Sequence, residues 1–207
     1  MPLTLNGTTG EIFPSWTTAG RPSPATAGQT GYNSTLATLE MYDGSVWRQN
    51  YLNTASAQAS TSGTSIDFGS IPSWVKRITL MLASVSTNGT SNPLVQIGTG
   101  GTPTTSGYLC GASNTPNSTP VATNFTTGFG IYAGSATNVI HGIMTLTLVS
   151  ASSNTWVAAF TGGVSSSSNS LVSGGSVSLS GTLNFVRLTT VNGTDAYDAG
   201  TVNILYE

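Results

Sequence analysis

Charge is what this sequence has least of. Lysine and arginine together number 5, aspartate and glutamate 7, and charged residues make up 6% of the chain, against roughly a quarter of an average soluble domain. From Ile78 to Val186 there is no Asp, Glu, Lys or Arg. The formal net charge is −2, so neither sign dominates. No basic footprint for nucleic acid exists, and no field that would steer a charged ligand. Cys110 is the single cysteine and His141 the single histidine. One cysteine cannot form an internal disulfide, and Cys110 reads as a small buried hydrophobe. One His with one Cys and no nearby carboxylates does not make a usual zinc site. No apolar run approaches the ~18 residues of a membrane span. The opening MPLTLNGTTGEIFPSW has neither a basic n-region nor an apolar h-region, so no classical signal peptide is expected. No helical period survives, because Gly or Ser interrupts every candidate.

What remains is a chain rich in Gly, Ser, Thr and Asn with 38% apolar residues. Apolar content of that size, with so little net charge, argues against disorder. Short apolar runs between turn residues are the pattern of an all-β protein. A free monomer carrying so little charge would be colloidally poor, which points to a chain that lives inside a larger assembly.

The organisation reads in three parts. Residues 1–50 hold an extended start, a Pro-bearing linker-like arm (19–31) and a small β-meander. In the meander, Gly31-Tyr32-Asn33 is a short strand and residues 34–37 a turn. Thr38-Leu39-Glu40-Met41-Tyr42 alternates as a strand, and Asp43-Gly44 is a hairpin turn into Ser45-Val46-Trp47-Arg48. A hairpin of this size is marginal alone, so its apolar side chains need a partner, most economically another copy of the chain. Residues 51–63 read as a polar linker. From 64 to 207 candidate strands fall at 65–69, 75–84, 94–98, 107–112, 128–133, 138–150, 155–161, 176–180, 183–190 and 201–206, enough for an antiparallel β-sandwich or jelly-roll knob. Ile78, Leu80 and Leu82 share one face, as do Trp156, Ala158 and Phe160. SSSSNSLVSGGS (165–176) reads as an exposed loop.

The segment RPSPATAGQTGYNSTLATLEMYDGSVWRQ resembles a short module common in tail-fibre and other appendage proteins of bacteriophages. The matching positions are Arg21, Pro22, Gly28, Tyr32, Asn33, Leu39, Glu40, Tyr42, Asp43, Gly44 and Trp47. Residues 64–91 and 179–207 are similar to the start and end of a C-terminal domain of phage virion proteins. The resemblance implies a virion structural protein whose N-terminal part attaches to other virion proteins and oligomerises, usually as a homotrimer. Tyr32, Leu39, Tyr42, Val46 and Trp47 are then the expected trimer and attachment residues. Residues 64–207 become an outward knob on a particle assembled in the host cytoplasm. A short tail fibre or fibre tip that adheres to the host is one implied role. A head fibre, capsid decoration or tail-assembly component is the other.

Chemistry is sparse. No G-x-S-x-G elbow is present, GTGGTP (98–103) lacks the Lys and helix of a phosphate loop, and neither an enzyme nor a cofactor is expected. Asn192, Asp195 and Asp198 could be calcium ligands or simple turn formers. Host glycan recognition is a positive idea, because sugars take aromatic faces and neutral hydrogen-bonding groups. Trp74, Tyr108 and Tyr132 are the candidate platform, with Trp74 beside Pro72 the best placed to be exposed. Trp156 alternates as a core residue.

Overall fold

The computed structural model describes residues 4–6, 10–49, 52–115 and 120–207, with side chains from Phe13 onward. Among them every regular element is a strand. The chain divides into two compact units, Met1–Tyr51 and Leu52–Glu207.

The first unit contains β1 (Thr4–Asn6) and β2 (Gly10–Ile12), paired antiparallel. It also contains a four-stranded sheet of β3 (Ser15–Trp16), β4 (Thr30–Asn33), β5 (Thr38–Tyr42) and β6 (Trp47–Gln49), in that order. β3 lies parallel to β4, and the rest is antiparallel. The meander therefore forms with the strands and turns that its alternation predicts. Asp43 fixes the hairpin by accepting the N–H groups of Ser45 and Val46, both at 2.8 Å, and Gly44 takes the φ of 103° that the turn requires. The arm at 19–31 is not a free linker. Gly28 donates its N–H to the Tyr42 carbonyl, and Tyr42 donates to the carbonyl of Gln29, so the arm folds back along β5.

The second unit is a β-sandwich. One layer has nine strands. β14 (Val121–Phe125), β13 (Leu109–Thr115), β18 (Asn169–Ser178), β17 (Thr155–Val164), β16 (Ile140–Ser150), β10 (Arg77–Thr87), β20 (Tyr197–Tyr206) and β7 (Asn53–Thr54) follow one another, and β8 (Gln58–Ala59) also pairs with β20. The other layer has β12 (Thr102–Pro103), β11 (Pro93–Thr99), β19 (Phe185–Thr190) and β9 (Ile66–Phe68), with β15 (Phe129–Gly130) on β11. Alternate residues of both layers meet in one core. Ile78, Leu80, Met144, Leu146, Trp156 and Phe160 come from the first layer, and Val95, Ile97, Phe129 and Leu188 from the second. Fully burying such side chains contributes roughly 1.5–3 kcal/mol each. That is how a unit with two ion pairs, Arg77–Glu207 and Arg187–Asp67, stays folded.

Three expectations are corrected. The stretch from 52 to 63 is not a linker. β7 and β8 extend the edge of the nine-stranded sheet, and Ser60 is buried with its N–H on the Gly200 carbonyl and its hydroxyl on that of Ala199. Tyr51 lies outside the described residues. The 165–176 stretch is not a loop beyond its first residues, because β18 is an interior strand paired with both β17 and β13. Its small residues are what let those backbones close in: a Cβ on Gly175 would run into the Leu109 carbonyl. Val121–Phe125, read as no element, is the edge strand β14.

A bulge shapes the middle of the large sheet. Ala83 and Ser84 of β10 together oppose His141 of β16, and Ser84 takes a φ of 57°. Its N–H donates to Nδ1 of His141 at 3.3 Å. On the other side of β10, Gly200 accommodates the same bulge, since a Cβ there would strike the Ser84 carbonyl.

Candidate functional site

Three of the residues that carry the module resemblance, Arg21, Asn33 and Glu40, meet at one carboxylate. Glu40 sits on the inner face of β5, 2% exposed. Arg21 grips it with a two-pronged contact, Nε to Oε1 at 2.9 Å and Nη2 to Oε2 at 2.7 Å. The Trp16 indole N–H donates to Oε1 at 2.6 Å, and Asn33 Nδ2 donates to the same oxygen at 3.1 Å. Asn33 is itself fully buried, and its Oδ1 accepts the N–H groups of Thr35 and Leu36 in the following turn. These donors hold the Glu40 carboxyl below its usual range, with Arg21 the largest influence and burial opposing it. Trp16 lies across Gly31, where a Cβ would collide with the indole ring, and meets Trp47 edge-on with centroids 5.0 Å apart. Trp47 also contacts Tyr42 at 5.4 Å.

This arrangement divides the expected trimer and attachment residues. Tyr42 and Trp47 belong to the inner, partly buried face, and Trp47 finds its partner, Trp16, within its own chain. The sequence reading missed Trp16. Tyr32, Leu39 and Met41 lie on the opposite face of β4 and β5 and remain exposed at 40%, 46% and 49%, and Val46 is exposed at the hairpin turn. The first unit thus turns one ion pair, Arg21–Glu40, inward and leaves Tyr32, Leu39, Met41 and Val46 outside, while the Asp43–Arg48 pair stays exposed.

The three knob aromatics do not form a platform. Tyr108 is 1% exposed, T-shaped against Phe129, and its hydroxyl accepts the Ile97 N–H and donates to the Ile97 carbonyl. It is a core residue, and burial pushes its phenol well above the usual range. Trp74 is half-buried against the core and tilts onto Tyr206 with centroids 6.0 Å apart. Tyr132 is also packed against the core. Trp156 is buried.

The 192–198 loop uses its oxygens internally. Asp195 accepts Asn192 Nδ2 and the Ser91 N–H, Asn192 Oδ1 accepts the N–H groups of Thr194 and Asp195, and Asp198 is bonded to the Ser86 hydroxyl. That is turn chemistry. Among the described residues no group of three or more His, Cys, Asp or Glu side chains is placed to hold a metal. Cys110 is buried, its thiol pushed up by desolvation. A cleft of ≈340 Å³ on the outer side of the smaller sheet is lined by residues such as Gln96, Thr127, Arg187 and Asn192. Its polar groups are largely engaged already, Arg187 with Asp67 and Gln96 with the Thr127 carbonyl.

All four arginines are paired, with Glu40, Asp43, Glu207 and Asp67. A scan against protein-family models, a search of curated proteins and a search of solved structures each return no match for this chain.

Proposed function

We propose that this chain is a structural protein of a bacteriophage particle, a trimeric short tail fibre or fibre tip whose first unit attaches and trimerises and whose second unit faces outward to touch the host surface. The observation that carries this reading is the inverted sheet of the first unit. Residues that carry the resemblance to phage appendage proteins hold this unit together: Arg21, Asn33 and Glu40 form the buried polar network, Asp43 and Gly44 the exposed turn, and Trp47 packs on Trp16. The face they free, with Tyr32, Leu39 and Met41, suits docking to copies of itself and to other virion proteins. No catalytic role, cofactor, nucleic acid or membrane insertion enters this reading.

One observation favours a second reading, a head fibre or decoration protein with no receptor. Tyr108 is core, while Trp74 and Tyr132 are partly buried against that core, so these three aromatics do not present a shared platform to a glycan. The two readings part in one experiment. Purified full-length protein is added to host cells before phage challenge. The adhesin reading expects it to occupy receptors and reduce adsorption. Undiminished adsorption, with loss of particle stability when the chain is deleted, establishes the decoration reading instead. A particle map showing the first unit free and the second buried against the shell or tail tube would overturn the assigned polarity.

A further inference from the structure

We infer that the outer face of the nine-stranded sheet is a second self-association surface, taken by the same face of another copy of this chain. The register defines that face row by row. One row runs Asn203, Met81, Ile143, Thr161, Val172, Ser113 and Ala122 across seven strands. The next runs Leu205, Thr79, Thr145, Ala159, Gly174, Gly111 and Asn124. A third holds Arg77, Thr147, Val157, Ser176 and Leu109.

Three properties of the face select its occupant. It is uncharged apart from Arg77 at one corner, which is paired with Glu207. Nothing on it complements a charged partner, and an identical face meets it without repulsion. It exposes large apolar side chains that a solvated sheet face normally replaces with Lys or Glu: Leu109 at 74%, Val172 at 53% and Ile143 at 50%. It also has relief. The middle row narrows to Ala159, Gly174 and Gly111 between rows that carry Ile143, Val172, Val157 and Leu109, and the hollow deepens to ≈400 Å³ where β18, β13 and β14 meet. Ridges of one copy fit the furrow of another, in the manner of two aligned sheets.

The area suffices. Six strands of the sheet, β20, β10, β16, β17, β18 and β13, lie about 4.8 Å apart and run at least seven residues, about 24 Å, in length, which gives a footprint of roughly 700 Å², close to the ~800 Å² per partner of a standard interface. This contact is independent of the one proposed for the first unit and uses different residues.

The test uses the full chain at roughly 10 μM, above the Kd expected for an interface of this size. Mass is read by light scattering for the wild type, for Ile143→Glu with Val172→Glu, and for Leu39→Glu with Met41→Glu. All four positions are about half exposed, and circular dichroism with a melting curve verifies that each variant is folded. The inference expects the Ile143/Val172 variant to have a smaller mass than the wild type, and Val172→Cys to give a covalent dimer with a short bismaleimide. An unchanged mass in that variant, with no cross-linked dimer, overturns it. A mass drop confined to the Leu39/Met41 variant also overturns it while leaving the first-unit contact standing. A monomeric wild type removes both.

Discussion

Glu40→Gln tests whether the motif residues are struts. The carboxylate takes four donor contacts, from the Arg21 Nε and Nη2, the Trp16 N–H and the Asn33 amide. Glutamine keeps the shape, offers one acceptor oxygen in place of two, and points its own NH₂ at a guanidinium that already donates. Charge-assisted hydrogen bonds contribute about 1.5–3 kcal/mol each, and removing one partner of a buried pair costs about 3–5 kcal/mol. Arg21 retains some solvent access, 26% for its side chain, which places the expected loss near the lower end, about 3 kcal/mol. A unit of ~50 residues has about 3–8 kcal/mol of stability in all, at ~0.05–0.15 kcal/mol per residue. The substitution therefore removes a large share of it, or all. Hydrogen exchange read by mass spectrometry separates the units. Peptides covering residues 30–49 should lose protection by a hundredfold or so, the equivalent of ~3 kcal/mol at 1.4 kcal/mol per decade. Peptides covering residues 140–164 should not change. Protection of 30–49 preserved within threefold would refute the reasoning and return Glu40 to the class of incidental ion pairs.

Acid should act on the first unit in the same sense. Two of its carboxylates have folded values lowered from the ordinary range, Glu40 from 4.5 chiefly by Arg21, and Asp43 to about 2 chiefly by the Val46 and Ser45 N–H groups. Their stabilisation is fully present above about pH 4.5 and lost as pH falls through the lowered values, so exchange protection of residues 30–49 should be flat from pH 7 to 5 and decline toward pH 2. Gly31→Ala should displace Trp16 and cost about 1–3 kcal/mol by overpacking, seen as a shift of Trp fluorescence and reduced protection in the same peptides. Tyr108→Phe should lower the melting temperature of the second unit, because the buried Ile97 N–H loses its acceptor at a cost of about 1–3 kcal/mol; an unchanged melting temperature would show that Ile97 finds another partner.

Sequence periodicity was legible where both faces of a strand differed. The alternation of Ile78, Leu80 and Leu82 located β10, and Asp43-Gly44 located the hairpin, because a turn with φ above zero narrows the residue choice sharply. The misses share a different cause. β18 is built on Ser and Gly where its neighbours approach closely, so its sequence resembles a loop while its backbone is paired on both edges. The sequence reading groups Tyr108 with Trp74 and Tyr132 as an aromatic platform, but its hydroxyl serves as a surrogate strand partner for Ile97, a contact no local window contains. The strut network joins residues 7 to 24 positions apart. One clue to it was available: with Asp43 and Arg48 spent on the hairpin, Arg21 and Glu40 were opposite charges with few other partners in the first 50 residues.

The inverted sheet of the first unit has a physical logic. At ~50 residues, buried apolar area alone stabilises a fold marginally. A polar network aimed at one carboxylate instead specifies register, because a slip of one residue in β5 would carry Glu40 to the outer face and Leu39 and Met41 inward. That slip would strand Arg21 and the Trp16 N–H without their acceptor. The interior polar residues therefore do more than hold the strands together; they dictate that Tyr32, Leu39 and Met41 stay outside. An ordinary small sheet would bury those three for its own stability and have nothing left to offer. Here the specificity of the network and the stickiness of the surface come from the same choice of phase along β5, and breaking the first removes the second. On the proposed reading, Glu40→Gln should weaken attachment to the particle without touching any contacting residue, whereas Leu39→Glu should weaken it with the fold of residues 30–49 intact.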